Sequence, residues 1–229
     1  RHQVRPCLHM ITDGRDTSPR QASQDVAELL QKLEQYDGYV ATVCGRFWAM
    51  DRDRRWDRIE RAWRAMALGQ GEKGSDLQQT IEQSYANHKS DEFILPTVFP
   101  QAIPINADDL VISFNFRSDR PRQIVAALAD ENFDGFDRGE YQVPSLVCLT
   151  RYSEQFNYPV AFNSELPKIT IGEVVSRAGL GQARIAETEK YAHVTYFLNG
   201  GREKEYAGES RKLIPSPRVA TYDLAPEMS

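Results

Sequence analysis

Arginine gathers just behind the apolar runs of this chain. Asp13-Gly14-Arg15-Asp16 follows one run, Gly45-Arg46 a second, Phe116-Arg117 a third and Arg151 a fourth. A planar guanidinium binds carboxylate and phosphate bidentately, which an ammonium cannot do. Arginines repeated in this setting therefore point to a discrete site for a small anion. For any one of them the structural alternative is strong. Strand ends need polar residues on leaving a core, and an arginine there can satisfy carbonyls or pair with Asp13, Asp16 or Asp119. The four positions together favour the anion site.

The elements that must position these residues can be read from the same runs. Cys7–Thr12, Tyr39–Cys44, Leu110–Asn115 and Ser145–Thr150 have the length and β-former content of buried strands. Helical periodicity lies between them. Ser18–Tyr36 carries Val26, Leu29, Leu30 and Leu33, with Ser18-Pro19 as cap and first-turn proline. Arg52–Leu68 places Trp56, Ile59, Trp63 and Met66 on one stripe and Arg54, Arg58, Arg61 and Arg64 on a solvated face. Asp76–Asn87 and Asp119–Ala129 are further helices, the last opened by Ser118-Asp119 with Arg120 in its first turn. Alternating strands and helices give an α/β layered fold with a largely parallel sheet flanked by helices. The carboxyl ends of parallel strands share one edge, where open α/β proteins place ligands. Asn157–Lys168, with two prolines and little periodicity, reads as a linker between a first domain, 1–163, and a second, 164–229.

Composition limits what such a site can serve. The 229 residues carry a net charge of -5, which disfavours generic nucleic-acid binding because affinity for a polyanion comes from excess positive charge. Yet 21 of the 28 basic residues are arginine. No apolar run approaches the roughly 18 residues of a membrane-spanning helix. Cys7, Cys44 and Cys148 each sit in an apolar run and read as reduced, buried thiols, and the polar start lacks a secretory h-region, so the expected location is the cytoplasm.

Other signals are weaker. Gly69, Gly71 and Gly74 satisfy G-x-G-x-x-G but follow a helical pattern, so they read as a helix stop and a loop. Glu187, Glu189 and His193 have metal-ligand chemistry without further ligands at ligand spacing, and read as a polar segment at a strand end. No nucleophile elbow is present. The tryptophans of the Arg-rich helix lie on its apolar stripe, which favours core packing over nucleic-acid contact.

Five blocks, in order, resemble the cofactor-independent phosphoglycerate mutases: Asp13-Gly14-Arg15-Asp16-Thr17, Gly45-Arg46 through Ala49-Met50-Asp51-Arg52-Asp53 to Arg55-Trp56, Asn115-Phe116-Arg117-Ser118-Asp119-Arg120, Glu187 through His193, and Val219 through Leu224. The resemblance implies a glycolytic and gluconeogenic enzyme that interconverts 3-phosphoglycerate and 2-phosphoglycerate through a phosphoserine. It implies a phosphotransferase domain gripping the glycerate, then part of an alkaline-phosphatase-like α/β domain. Arg15 and Asp16 would contact the glycerate hydroxyls, Arg46 and Arg52 its carboxylate end, Arg117 and Arg120 the phosphoryl region, and Lys190 the phosphate. Asp16 is the expected acid or base, its ionised form favoured by the adjacent Arg15. The family's serine motif, the ligands of its two divalent ions (Mn2+ or Mg2+) and a substrate-binding histidine have no counterpart here. The chain accordingly reads as an internal portion of the enzyme, inactive alone, whose partners are phosphoglycerate and the remainder of the same polypeptide. Arg151 departs from the family pattern and rests on its strand-end position only. The alternative is a non-catalytic module that binds phosphate or carboxylate.

Overall fold

A computed structural model of the chain describes residues 4–163, 167, 169–219, 221–227 and 229. Contacts divide it into a first unit ending at Leu149 and a second beginning at Thr150. The expected linker, Asn157–Lys168, lies within the second unit, and Lys168 and the start of the expected second domain fall outside the described residues.

The first unit contains β1 (Cys7–Thr12), α1 (Ala22–Glu34), β2 (Tyr39–Gly45), α2 (Arg46–Ala49), α3 (Trp56–Leu68), β3 (Glu72–Lys73), α4 (Leu77–Ala86), a 3-10 turn (Asp91–Phe93), β4 (Thr97–Val98), β5 (Leu110–Ser113), α5 (Arg122–Ala129) and β6 (Ser145–Cys148). Its main sheet has the order β1-β2-β4-β3. β1 runs parallel to β2, with Thr12 opposite Gly45, so the loops carrying Asp13–Asp16 and Arg46 leave the sheet side by side. β4 is antiparallel to β2 and parallel to β3, while β5 and β6 form a separate parallel pair. The α/β class and the mainly parallel pairing agree with the expectation, but the four long strands are split between two sheets.

Two apolar clusters hold these elements. One takes Val43 of β2 together with Val26, Leu77, Ile81, Ile94 and Phe99, and the other takes Cys44 with Ile59, Trp63, Met66, Ile124 and Leu128. Val43 and Cys44 are neighbours on a strand, so their side chains point to opposite faces. Trp63 is fully buried and meets Tyr141 edge-on at 5.2 Å. The stripe read on α3 is therefore core. Its arginine face is more than a solvated surface, since Arg58 stacks over the Phe47 ring at 3.7 Å and Arg61 over Trp48 at 5.2 Å.

Helix starts differ from expectation for physical reasons. α1 begins at Ala22, because residues 18–21 form a turn closed by Gln21 N–H donating to Ser18 O at 3.1 Å. α3 begins at Trp56 instead of Arg52. The Asp51 carboxylate accepts the Asp53 and Arg55 N–H groups at 2.8 and 2.9 Å, and Arg54 has a left-handed φ of 56° that no helix accommodates. α5 begins at Arg122 with Pro121 as its N-cap, and proline disfavours helical geometry at the preceding Arg120. α4 behaves as read, with Asp76 capping the Gln79 N–H at 2.8 Å, and α3 stops at Gly69. Of the thiols, Cys44 and Cys148 are buried, but Cys7, first residue of an edge strand, is exposed.

The second unit contains α6 (Ile171–Arg177), β7 (Gln182–Glu187), α7 (Thr188–Ala192) running into a π turn (His193–Phe197), β8 (Glu209–Ile214) and a 3-10 turn (Tyr222–Leu224). β7 and β8 are parallel in register from Gln182–Glu209 to Glu187–Ile214. Among the described residues, no helix is long and apolar enough to cross a membrane.

Candidate functional site

Asp13 opens the loop after β1. Its Oδ1 accepts the Arg15 N–H at 2.8 Å and the Asp16 N–H at 2.7 Å, which curls the loop back on itself. The same oxygen accepts a hydrogen bond from Arg46 Nη1 at 2.8 Å. Two glycines make this approach possible. A Cβ on Gly14, whose φ is +66°, would lie 2.8 Å from the Asp91 side chain, and one on Gly45 would lie 2.1 Å from the Glu92 carbonyl oxygen. Arg46, the first residue of α2, is thereby drawn under the loop until its side chain is only 4% exposed.

Asp16 is the hinge of the charge arrangement. Its Oδ2 accepts from both Arg46 Nη1 and Arg117 Nη1, each at 3.0 Å. Arg117 continues the chain through Nε to Asp119 Oδ1 at 3.4 Å, and Asp119 Oδ2 accepts from Arg52 Nη1 at 2.6 Å. Arg120 donates to the Met50 carbonyl at 3.1 Å, while its buried Nε has no hydrogen-bond partner among the described residues. Arg15 reaches away from Asp16, toward Glu92 Oε1 at 3.5 Å. The first unit thus brings together Arg15, Asp16, Arg46, Arg52, Arg117 and Arg120 from four separate stretches of sequence. The predicted companion of Asp16 is corrected: its ion pairs are with Arg46 and Arg117, not Arg15.

Electrostatics follow from these distances. The Arg46 hydrogen bond, then its charge and that of Arg117, outweigh desolvation and hold the Asp16 carboxyl below its ordinary value. Desolvation pushes Asp13 and Asp119 upward, but the loop N–H groups and Arg46 for Asp13, and Arg52 for Asp119, hold both below it. Burial, and then repulsion from Arg52 and Arg46, bring Arg120 down to about 10. A guanidinium so crowded by its own kind, with a donor unused, is suited to an incoming anion. The predicted alternative, pairing with Asp13, Asp16 and Asp119, is also realised. The acids keep the arginines ordered, and their exposed members can be displaced.

Lys190 and Arg151 belong to the second unit. Lys190 is 55% exposed and its ammonium lies 3.5 Å from the Glu189 carboxylate. Arg151 is exposed. Glu187, the last residue of β7, is buried and accepts from the Ser216 hydroxyl at 3.4 Å, in keeping with a polar strand end. Among the described residues, no group of three or more His, Cys, Asp or Glu is arranged to hold a metal ion. The described residues therefore do not fit a metal centre. Asp91 and Glu92 escaped the sequence reading. Only an acidic pair ahead of Phe93-Ile94-Leu95-Pro96 marks them, and that pattern names no partner.

Residues 1–154 match the family model described as the BPG-independent PGAM N-terminus. The 2,3-bisphosphoglycerate-independent phosphoglycerate mutase of Myxococcus xanthus is 50% identical over 97% of this chain and 45% of its own length. That of Lawsonia intracellularis is 48% identical over the whole chain and 46% of its own. The crystal structure of Leishmania mexicana phosphoglycerate mutase at low cobalt concentration superposes with a TM-score of 0.87 at 29% identity, covering 98% of this chain and 44% of that one. The chain thus spans somewhat under half the length of the relatives it matches. With the family model covering most of the chain and the blocks around Asp16, Arg46 and Arg117 folded into one site, the chain belongs to the BPG-independent phosphoglycerate mutase family.

Proposed function

We propose that the protein interconverts 3-phosphoglycerate and 2-phosphoglycerate through a phosphoserine, and that this chain supplies the residues that hold the glycerate and its phosphate. In this reading residues 1–163 belong to the phosphotransferase domain and 164–229 to the phosphatase-like domain. The serine and the ligands of two divalent cations, Mn2+ or Mg2+, lie in the remainder of the polypeptide, and the enzyme works in the cytoplasm. The observation that carries the proposal is Asp16 held between Arg46 and Arg117, each 3.0 Å from one carboxylate oxygen.

That geometry gives Asp16 two states. With the site empty, two guanidiniums keep it ionised and a poor base. A bound phosphoglycerate brings a carboxylate and a phosphate that compete for Arg46, Arg52, Arg117 and Arg120. Weaker cationic contact and added negative charge both raise the affinity of Asp16 for a proton. Asp16 then accepts the proton of the glycerate hydroxyl as its oxygen bonds to phosphorus and the bond from phosphorus to the serine oxygen breaks. The arginines stay in place and offset the charge of the transferring group without reorganising. Arg15 orients the hydroxyls, and Lys190 contributes its positive charge to phosphate binding.

The test uses the polypeptide extended to the length of its relatives. Arg46→Ala and Arg117→Ala should each lower turnover of 3-phosphoglycerate by about a hundredfold or more. Arg61→Ala, on the outer face of α3, should change it by less than about twofold. Equal effects of all three would overturn the assignment. The 229-residue chain by itself should bind 3-phosphoglycerate weakly without isomerising it; binding with no turnover by the extended protein would instead favour a non-catalytic anion-binding module.

A further inference from the structure

We propose that Asp91 is a positioning residue that sets the spacing of Asp16 and Arg46. Its side chain belongs to a residue 1% exposed, in the middle of the first unit. Its Oδ2 accepts the Ala22 N–H at 2.8 Å, an otherwise orphan donor at the start of α1. Its Oδ1 accepts from Tyr85 Oη at 2.5 Å. Its main chain brackets the Asp13–Asp16 loop at both ends: the carbonyl accepts from Thr12 Oγ1 at 2.7 Å, and the N–H donates to Pro19 O at 2.8 Å.

The next residues of the same 3-10 turn grip the other side of the site. Glu92 places its carboxylate 3.5 Å from Arg15 and its carbonyl against Gly45. The Phe93 ring lies 5.2 Å from that of Phe47, the neighbour of Arg46. The Gly45 N–H donates to Ile94 O at 2.8 Å. One short turn therefore touches the loop that carries Asp16 and the strand end that carries Arg46, and Asp91 fixes that turn to α1 and α4. A buried carboxylate is an expensive choice where an apolar residue could fill the space. It is justified here by the two hydrogen bonds the carboxylate accepts, from the start of α1 and from Tyr85 of α4, which anchor the turn whose main chain holds Thr12 and Pro19. Removing the carboxylate lets the loop and the turn move relative to each other, and ion-pair geometry at 3.0 Å does not tolerate a shift of that kind.

This inference rests on the proposed function only for the identity of the ligand, so its first readout uses none. In the unliganded chain, the Arg46 guanidinium N–H groups bound to Asp13 and Asp16 should give exchange-protected 15N–1H signals. Asp91→Ala should abolish that protection. Asp91→Asn should retain it, since the amide oxygen still accepts from Ala22 and the amide N–H can donate to the Tyr85 hydroxyl. Ile81→Ala, in the apolar cluster that contains Ala22 and Ile94 and against which Tyr85 packs, should lower the melting temperature without moving the Arg46 signals. Should Asp91→Ala fail to fold, Tyr85→Phe decides, with partial loss of protection expected. The second readout is calorimetric binding of 3-phosphoglycerate, weakened about tenfold by Asp91→Ala and less than about twofold by Asp91→Asn. Unchanged Arg46 signals in folded Asp91→Ala (or, where it does not fold, in Tyr85→Phe), or an equal loss in Ile81→Ala, would overturn the positioning role. Protected signals in a wild-type chain that ignores 3-phosphoglycerate would overturn the ligand and leave the role of Asp91 standing.

Discussion

Asp119→Ala isolates the acid that holds the arginine cluster together. The Asp119 side chain is 2% exposed, and its partner Arg52, at 2.6 Å, is 10% exposed. Removing one member of a buried pair leaves the other charge uncompensated, at a cost of about 3–5 kcal/mol. The lower end applies here, because Arg117, the second partner, is 37% exposed and can turn to water. A loss near 3 kcal/mol lowers the melting temperature of a unit of this size by about 6–12 °C. Near-ultraviolet circular dichroism reports it directly, since Trp56 and Trp63 both pack in that unit. The effect should carry a pH signature. The Asp119 carboxyl titrates below its ordinary value when folded, so its contribution is complete above the ordinary value and fades as pH falls through the lowered one. Wild type and variant should therefore differ by a constant amount between about pH 5 and 8 and converge in stronger acid. Inorganic phosphate should recover part of the loss, about 1.4 kcal/mol at ten times its dissociation constant, by taking the place of the missing acid. A loss below about 1 kcal/mol, or a gap that widens on acidification, would refute this account of the cluster.

Three further outcomes are expected. His9 is half-buried beside Thr42, and desolvation lowers it to about 4 from an ordinary 6.5, so the unfolded chain binds more protons between those values; stability should fall by ~2–3 kcal/mol as pH drops through that window, and His9→Gln, followed by urea titration at several pH values, should flatten the slope. Gly45→Ala would drive a methyl to 2.1 Å from the Glu92 carbonyl, so expression trials and melting curves should show a loss of several kcal/mol, about 3 or more, or no folded protein. With a thiol reagent under native conditions Cys7 should react first, with Cys44, pushed up to about 12 by burial, reacting only after denaturation.

The fold was legible wherever one residue type had one use. The run Tyr39–Cys44 had the length and β-former content of a buried strand, the stripe of Ile59, Trp63 and Met66 the spacing of a core-facing helix, and, Tyr39 apart, both are buried. Boundaries were harder because remote groups decide them. Ser18-Pro19 looks like a helix cap, yet the donor at the start of α1 is satisfied by Asp91, 69 residues away. Asp119-Arg120 looks like a first helical turn until Pro121 is recognised as the residue that keeps Arg120 out of the helix. The separation of β5 and β6 from the main sheet left no mark on either strand, and β5, whose apolar run reads as a buried strand, instead leaves Leu110 and Ile112 exposed.

The site shows the same division more sharply. Arg46 and Arg117 could be picked out because arginines follow several strand runs together, and the carboxyl ends of parallel strands are where such folds place ligands. Which acid each would meet could not be picked out. Arg15 and Asp16 are adjacent in sequence, yet adjacent side chains in a tight loop diverge, and Arg15 turns to Glu92 while Asp16 turns to Arg46 and Arg117. That exchange of partners matters for chemistry. Were Asp16 paired with Arg15 alone, its ionisation would depend on two exposed side chains. Paired with Arg46, which is 4% exposed, it is tied to a rigid group whose own position is set by Gly45 and the Asp91–Phe93 turn. In the proposed mechanism, precision at the exposed Asp16 carboxylate is therefore borrowed from the buried Asp91.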